Sequence, residues 1–223
     1  MLSSRSTDPI VARITEQDIV NKNDTGKTGT GTDKEIILEG AAVFKHNQLV
    51  GWLDARETRG VLWVQNKIKR GTLTFSNPLG NHKPITFEIL ESIRKMNTMM
   101  VNNQLVVNLS IFFDGNMIQQ TSNADILSSN LYNEEETVKA YENALVSQVE
   151  QEIFAALAKA QQYQVDVFGI GEHFYIEHPQ EFKKLQKDWP EVMAKAQFNI
   201  AATMKIRRVG LINRSINAQN ERN

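Results

Sequence analysis

Glu172-His173 and Glu177-His178 set two carboxylates and two imidazoles within seven residues, beside Gly169 and Gly171. Imidazole with carboxylate is the donor set of a zinc or iron hydrolase. A helical HExxH is missing, however, and along an extended segment His173 and His178 fall on opposite faces. Polar residues on a strand edge are the simpler reading, with the glycines permitting a bend or a close approach. A second constellation is Glu57 and Arg59 between Trp52 and Trp63: an acid, a cation and an aromatic wall that suit a small amino-acid ligand. Its structural alternative is a carboxylate at a helix start, a guanidinium paired or stacked on indole, and two core tryptophans. No serine-histidine pair and no second acid lies close in sequence to complete a catalytic set. Gly26-Lys27-Thr28 looks like the end of a phosphate loop, but Asn21 stands where the first glycine is required and no helix pattern follows. Lys183, Lys184 and Lys187 form either a solvated helix face or a patch worth about 1 kcal/mol per lysine beside an anionic bilayer.

The elements that must position these residues are legible in the pattern. Ile36, Leu38, Gly40, Ala42 and Phe44 alternate as a half-buried strand, Lys45 to Gln48 supply a turn, and Leu49 to Leu53 run back. Asp54 then stands as N-cap of a helix near 55 to 66, with Glu57 in capping-box position. Thr72 to Phe75 predict a strand that Asn77-Pro78 ends. Ile85, Phe87, Ile89 and Ile93 share one face of a longer strand. Leu105, Val107, Leu109, Ile111 and Phe113 repeat the alternation, with Asn108, Ser110 and Asp114 facing away. Asn102-Asn103 reads as the turn between them, although Arg94 to Val101 resembles a helix.

Asn133 to Gln162 carry the clearest helical pattern. Asn133 is the N-cap, and Val138, Tyr141, Leu145, Val149, Ile153, Leu157 and Ala160 form one apolar stripe. At 1.5 Å per residue such a helix reaches about 40 Å, enough to cross a sheet. A basic helix begins at Pro179, and Phe198 to Ile206 alternate as a closing strand. Strands grouped before helices predict an α+β fold: an antiparallel sheet with one long helix and shorter helices packed against it. Residues 1 to 34 read as a linker or a remnant of a preceding domain, ending in a Gly/Thr-rich loop. Residues 35 to 212 form the domain, and 213 to 223 a polar tail.

Composition narrows the functions further. The chain has 223 residues, 41% of them hydrophobic, and 25 Lys+Arg against 26 Asp+Glu leave a net charge of -1. No global field draws it to nucleic acid. Cysteine is absent, which removes disulfides, thiolate zinc sites and cysteine nucleophiles together. No apolar run approaches a membrane span and no signal-peptide core follows Met1, so the chain reads as a water-soluble body.

The strings GAAVFK, LVGWL and ETRGVLW at their spacing between Gly40 and Trp63 resemble the C subunits of spore germinant receptors, the Ger(x)C lipoprotein family. QQYQVDVFGIG from Gln161 to Gly171 is similar to that family's Q-x-x-x-D-x-F-G-x-G signature. Pro179 to Trp189 resembles its proline, lysine-rich helix and tryptophan, with Phe182 where the family has a tryptophan. The resemblance covers roughly residues 36 to 211. It implies the C-terminal domain of a longer lipoprotein whose lipid anchor is not in this chain, on the outer face of the spore inner membrane beside the A and B membrane subunits. Its role there is assembly or signal coupling, with no cofactor and no reaction. The rival readings are a nutrient-binding domain using Trp52, Glu57, Arg59 and Trp63, and a metal-dependent hydrolase using Glu172, His173 and His178. Because residues 21 to 34 offer no apolar area to offset the entropy of ordering, limited proteolysis is expected to cut there first.

Overall fold

The structure, a computed structural model, describes residues 7–19, 33–79, 84–118 and 134–209. The expected Gly/Thr loop, Gly26-Lys27-Thr28, Asn133 and the polar tail lie mostly or wholly outside the described residues. Two sheets form, where the pattern predicts one. The first has the order β1 (Ile10–Ile19), β2 (Asp33–Lys45), β3 (Gln48–Asp54). The second has the order β4 (Gly71–Ser76), β5 (Pro84–Val101), β6 (Gln104–Ile118), β7 (Gln197–Val209). The helices are α1 (Ala55–Val64), α2 (Glu134–Tyr163), α3 (Ile170–Glu177), α4 (Pro179–Leu185) and α5 (Trp189–Ala194).

β1 finds its partner directly in β2. The two run antiparallel from Ile10 opposite Val43 to Ile19 opposite Asp33, with a register shift between Arg13 and Ile14. Within the segment read as a linker or a remnant of a preceding domain, Ile10–Ile19 form an edge strand of this sheet. Ala41, Val43 and Leu53 are buried at one end of this sheet. Toward the other end Ile14 lies opposite Leu38, and both are exposed, as is Ile36. β2 and β3 make the expected hairpin around His46-Asn47, with Gly40 opposite Asp54.

β5 shows why its second half looks helical in sequence. Phe87 and Ile89 point inward, but beyond Leu90 the phase changes: Ser92, Met96 and Thr98 are buried while Ile93 is 45% exposed. A strand whose inward positions pass from odd to even loses its period-two signature over the change. Arg94 to Val101 are nonetheless strand, and Asn102 and Asn103, with φ of 50° and 62°, turn the chain into β6. Asparagine tolerates that left-handed region better than most residues, which suits a two-residue hairpin turn. β6 keeps its odd positions inside throughout.

The chain divides into two compact units. The first comprises Met1–Ile68, Arg94–Ile111 and Val149–Ala202; the second Lys69–Ile93, Phe112–Gln148 and Thr203–Asn223. β5, β6, α2 and β7 each contribute residues to both. In the second unit Phe87 meets Phe113 edge to face at 6.2 Å and Phe75 meets Tyr141 at 6.1 Å, over the buried Leu73 and Leu145. Asp114, expected to face away, is 6% exposed and receives the Arg207 guanidinium at 2.6 Å. In the first unit the inner face of α2 buries Val149, Ile153, Ala156, Leu157 and Ala160. Truncating Ile153, 0% exposed, to alanine is expected to destabilise the fold by about 2 to 5 kcal/mol, measured by chemical denaturation.

Candidate functional site

The Arg59 constellation is built from α1 outward. Asp54 accepts from the Glu57 N–H at 2.7 Å while Glu57 accepts from the Asp54 N–H at 2.9 Å, the reciprocal cap read from the sequence. Gly60 then brings α1 onto α2: a Cβ there would stand 2.0 Å from the Glu152 carbonyl. That approach sets Arg59 and Trp63, one turn apart, over the Glu152 side chain. Arg59 Nε donates to Glu152 Oε2 at 2.8 Å, its Nη2 pairs with Oε1, and the Trp63 indole N–H donates to Oε2 at 3.1 Å. Glu152 and Trp63 are each 1% exposed. Bonding to the Glu152 carboxylate, against the opposing effect of burial, holds the Arg59 pKa above its ordinary value.

The four residues proposed as a ligand site therefore separate. Arg59 and Trp63 meet on Glu152. Glu57 is occupied by the cap, with Lys159 Nζ at 4.0 Å. Trp52 is not a core residue: it is 46% exposed on β3, with the Arg13 guanidinium 5.0 Å from its ring centre and Arg13 also 3.3 Å from Glu39. Sequence reading missed Glu152, the residue that organises the cluster. Its signal is positional, since it lies between Val149 and Ile153 on the buried face of α2.

The second constellation departs further from expectation. The segment holding Glu172, His173, Glu177 and His178 is the helix α3 and its cap, not an extended strand edge. Asp166 makes it so. This carboxylate, 2% exposed, accepts from the N–H groups of Phe168 at 3.2 Å, Ile170 at 3.0 Å and Gly171 at 2.6 Å, and from the Trp189 indole at 3.2 Å. Donors at the first turn of a helix have no partner within it, and a carboxylate satisfies them while complementing the helix dipole. Burial pushes the Asp166 pKa up, opposed by these donors. Gly169, at φ 76°, supplies the left-handed residue that turns the chain into the helix.

With α3 helical, both histidines reach one strand. His173 Nε2 lies 2.8 Å from the Met96 carbonyl and His178 Nε2 2.8 Å from that of Thr98. Glu177 accepts from Thr98 N–H at 3.0 Å and from its hydroxyl at 2.5 Å. Carbonyls only accept, so both Nε2 atoms carry protons. Glu172 is exposed and joins neither contact. Among the described residues no three His, Asp or Glu side chains converge as a metal site. Around α3 the rings of Phe174 and Trp189 stack at 5.7 Å, and Phe182 sits 5.2 Å from Trp189. Phenylalanine thus serves in a packed aromatic cluster. Lys183, Lys184 and Lys187 are exposed.

Comparison with known proteins gives this arrangement its relatives. Residues 39–210 match the family described as spore germination B3/GerAC-like, C-terminal. The chain belongs to that family. Spore germination protein B3 of Bacillus subtilis (strain 168) is 26% identical over 194 residues, covering 86% of this chain and 48% of the relative. Spore germination protein KC of the same organism is 28% identical, covering 84% and 46%. The crystal structure of the GerBC protein superposes with a TM-score of 0.68 at 24% identity, covering 92% of this chain and 58% of that one. It shares the α+β fold. The chain spans about half the length of the curated relatives it matches. No helix among the described residues is long and apolar enough to cross a membrane. Within the family segment, the Glu57, Arg59, Gly60 and Trp63 string builds one helix crossing and Asp166 builds the other cap.

Breaking either side of the Arg59–Glu152 pair leaves a charge without its main partner in a site where Glu152 is 1% exposed. Arg59→Ala, which strands the buried Glu152 carboxylate, is expected to cost about 3 kcal/mol or more in urea denaturation, and Glu152→Ala less, because the Arg59 side chain is 37% exposed and stays solvated. The double variant should cost clearly less than their sum, the mark of a coupled pair.

Proposed function

We propose that this domain serves as the C-terminal part of a germinant-receptor C subunit, acting by contact rather than by turnover. The reading rests on one observation above the others: a family match spanning residues 39–210. What the chemistry of the chain does internally supports it. Arg59, Trp63, Asp166, His173, Glu177 and His178 all hold helices in place. A carboxylate bound bidentately to Arg59 is not offered to a ligand, and imidazoles donating to carbonyls do not ligate a metal through those nitrogens. In this reading the domain lies at the outer face of the spore inner membrane, joins the A and B membrane subunits, and supports assembly or signal coupling without a cofactor. A second, nutrient-binding reading keeps Trp52, Glu57, Arg59 and Trp63 as contacts.

Affinity capture of the tagged protein from detergent-solubilised spore membranes separates the two readings. The A and B membrane subunits are expected in the captured fraction, and equilibrium dialysis against a panel of amino acids and sugars is expected to give no saturable uptake. Saturable binding that Arg59→Ala abolishes, without co-capture of the membrane subunits, would replace the contact reading with the nutrient-binding one.

A further inference from the structure

β5 has an open side. β4 pairs with it only from Pro84 to Ile89, so beyond that point β6 is its one strand neighbour among the described residues. An uncovered strand edge presents alternating N–H and C=O groups to any other extended chain, including a copy of itself. Here three such groups, Met96 O, Thr98 N and Thr98 O, are taken by three side chains from the end of one helix. Their chemistry is that of a neighbouring strand: His173 and His178 donate where a strand would place N–H groups, and Glu177 accepts where it would place a carbonyl.

Glu177 is also tied back to His173, its Oε1 lying 3.2 Å from His173 Nε2. Glu177 and His178 in turn share Thr98, so the three residues form one connected set on β5. We propose that His173, Glu177 and His178 form an edge guard, standing in for a missing strand on Met96 and Thr98 and so preventing β5 from pairing with the same strand of a second copy of this chain. Self-pairing is the hazard because a free strand edge offers an identical, self-complementary surface on every molecule.

Ionisation of Glu177 provides an independent handle. Burial alone raises its pKa, but the Thr98 hydroxyl and N–H and the charges of His173 and His178 outweigh this and leave it below its ordinary value of 4.5. β5 brings only the neutral groups of Met96 and Thr98 to this contact. A depressed folded pKa means that the contact is at full strength above the ordinary value and weakens as pH falls through the folded one.

The test follows the Thr98 amide by hydrogen exchange together with the association state by light scattering. In the variant His173→Ala/Glu177→Ala/His178→Ala, Thr98 protection, read at concentrations low enough that the protein is monomeric, is expected to fall on the order of tenfold or more, the worth of a hydrogen bond to a charged group. Association is expected to rise with concentration above wild type, and adding Thr98→Pro, which removes the edge N–H, should reverse it. Unchanged Thr98 protection, or lost protection with association no different from wild type, would overturn the proposal. Should the triple variant not fold, wild type and Glu177→Gln are compared from about pH 5.5 to pH 3, a range spanning ordinary carboxyl titration. Thr98 protection is expected to drop with falling pH in wild type and to stay flat in Glu177→Gln, whose amide oxygen accepts without titrating. Parallel behaviour of the two proteins would count against the guard.

Discussion

The Asp166 carboxylate is the constraint on which the helical corner of the first unit depends. Placing a charge at 2% exposure is costly, and the cost is offset only because the charge replaces water with N–H groups that would otherwise be orphaned. Two of those groups, from Ile170 and Gly171, open α3, a third from Phe168 lies just before its cap, and a fourth belongs to Trp189. Fixing the start of α3 aims its far end, so His173, Glu177 and His178 fall on β5. Fixing the Trp189 indole sets the ring against which Phe174 and Phe182 pack. The main chain at Asp166 is engaged as well, exchanging bonds with Asp8 at 2.8 and 2.9 Å, so the approach to β1 is tied to the same point.

Glu152 does comparable work for α1, and the two sites share a logic. Each is a buried carboxylate receiving a tryptophan indole N–H as well as stronger donors. The donors differ in kind. Glu152 relies on a bidentate guanidinium, whose geometry matches a carboxylate and whose charge survives at any ordinary pH. Asp166 relies on backbone N–H groups, which are fixed by the helix they cap. A carboxylate paired with arginine specifies which two helices cross; one held by backbone specifies where a helix begins.

Much of the fold was legible because local rules and tertiary packing agree. The Asp54–Glu57 box, the β2–β3 hairpin and the α2 stripe are places where spacing alone determines the answer. The site was legible only in part. Arg59 and Trp63 stand out in sequence, but their partner Glu152 lies 93 residues from Arg59 and 89 from Trp63, and contacts at that separation leave no periodic trace. β1 was obscured differently: its partner β2 is the next strand, but the Gly- and Thr-rich sequence of residues 20 to 32 between them carries no short hairpin signal. The α3 segment was misread because its helix starts from a left-handed glycine and is capped from four or five residues upstream. No Ser, Thr, Asp or Asn occupies its N-cap position, so the usual start signal is missing.

Polar residues turned inward have a consequence for where function resides. A side chain that must hold two elements together cannot also change its bonding partner during a catalytic cycle without loosening the fold it supports. Arg59, Glu152, Asp166, His173 and Glu177 are all committed in this way. Beside exposed charged residues such as Glu172 and Lys183, large aliphatic side chains also face outward: Ile14, Ile36 and Leu38 on the first sheet, and Ile176 on α3, each more than 60% exposed. Such side chains have no chemistry to contribute, only area to bury, and area is the currency of association. The buried charges of the first unit thus serve rigidity, while its exposed aliphatic side chains add nothing to the stability of the isolated domain.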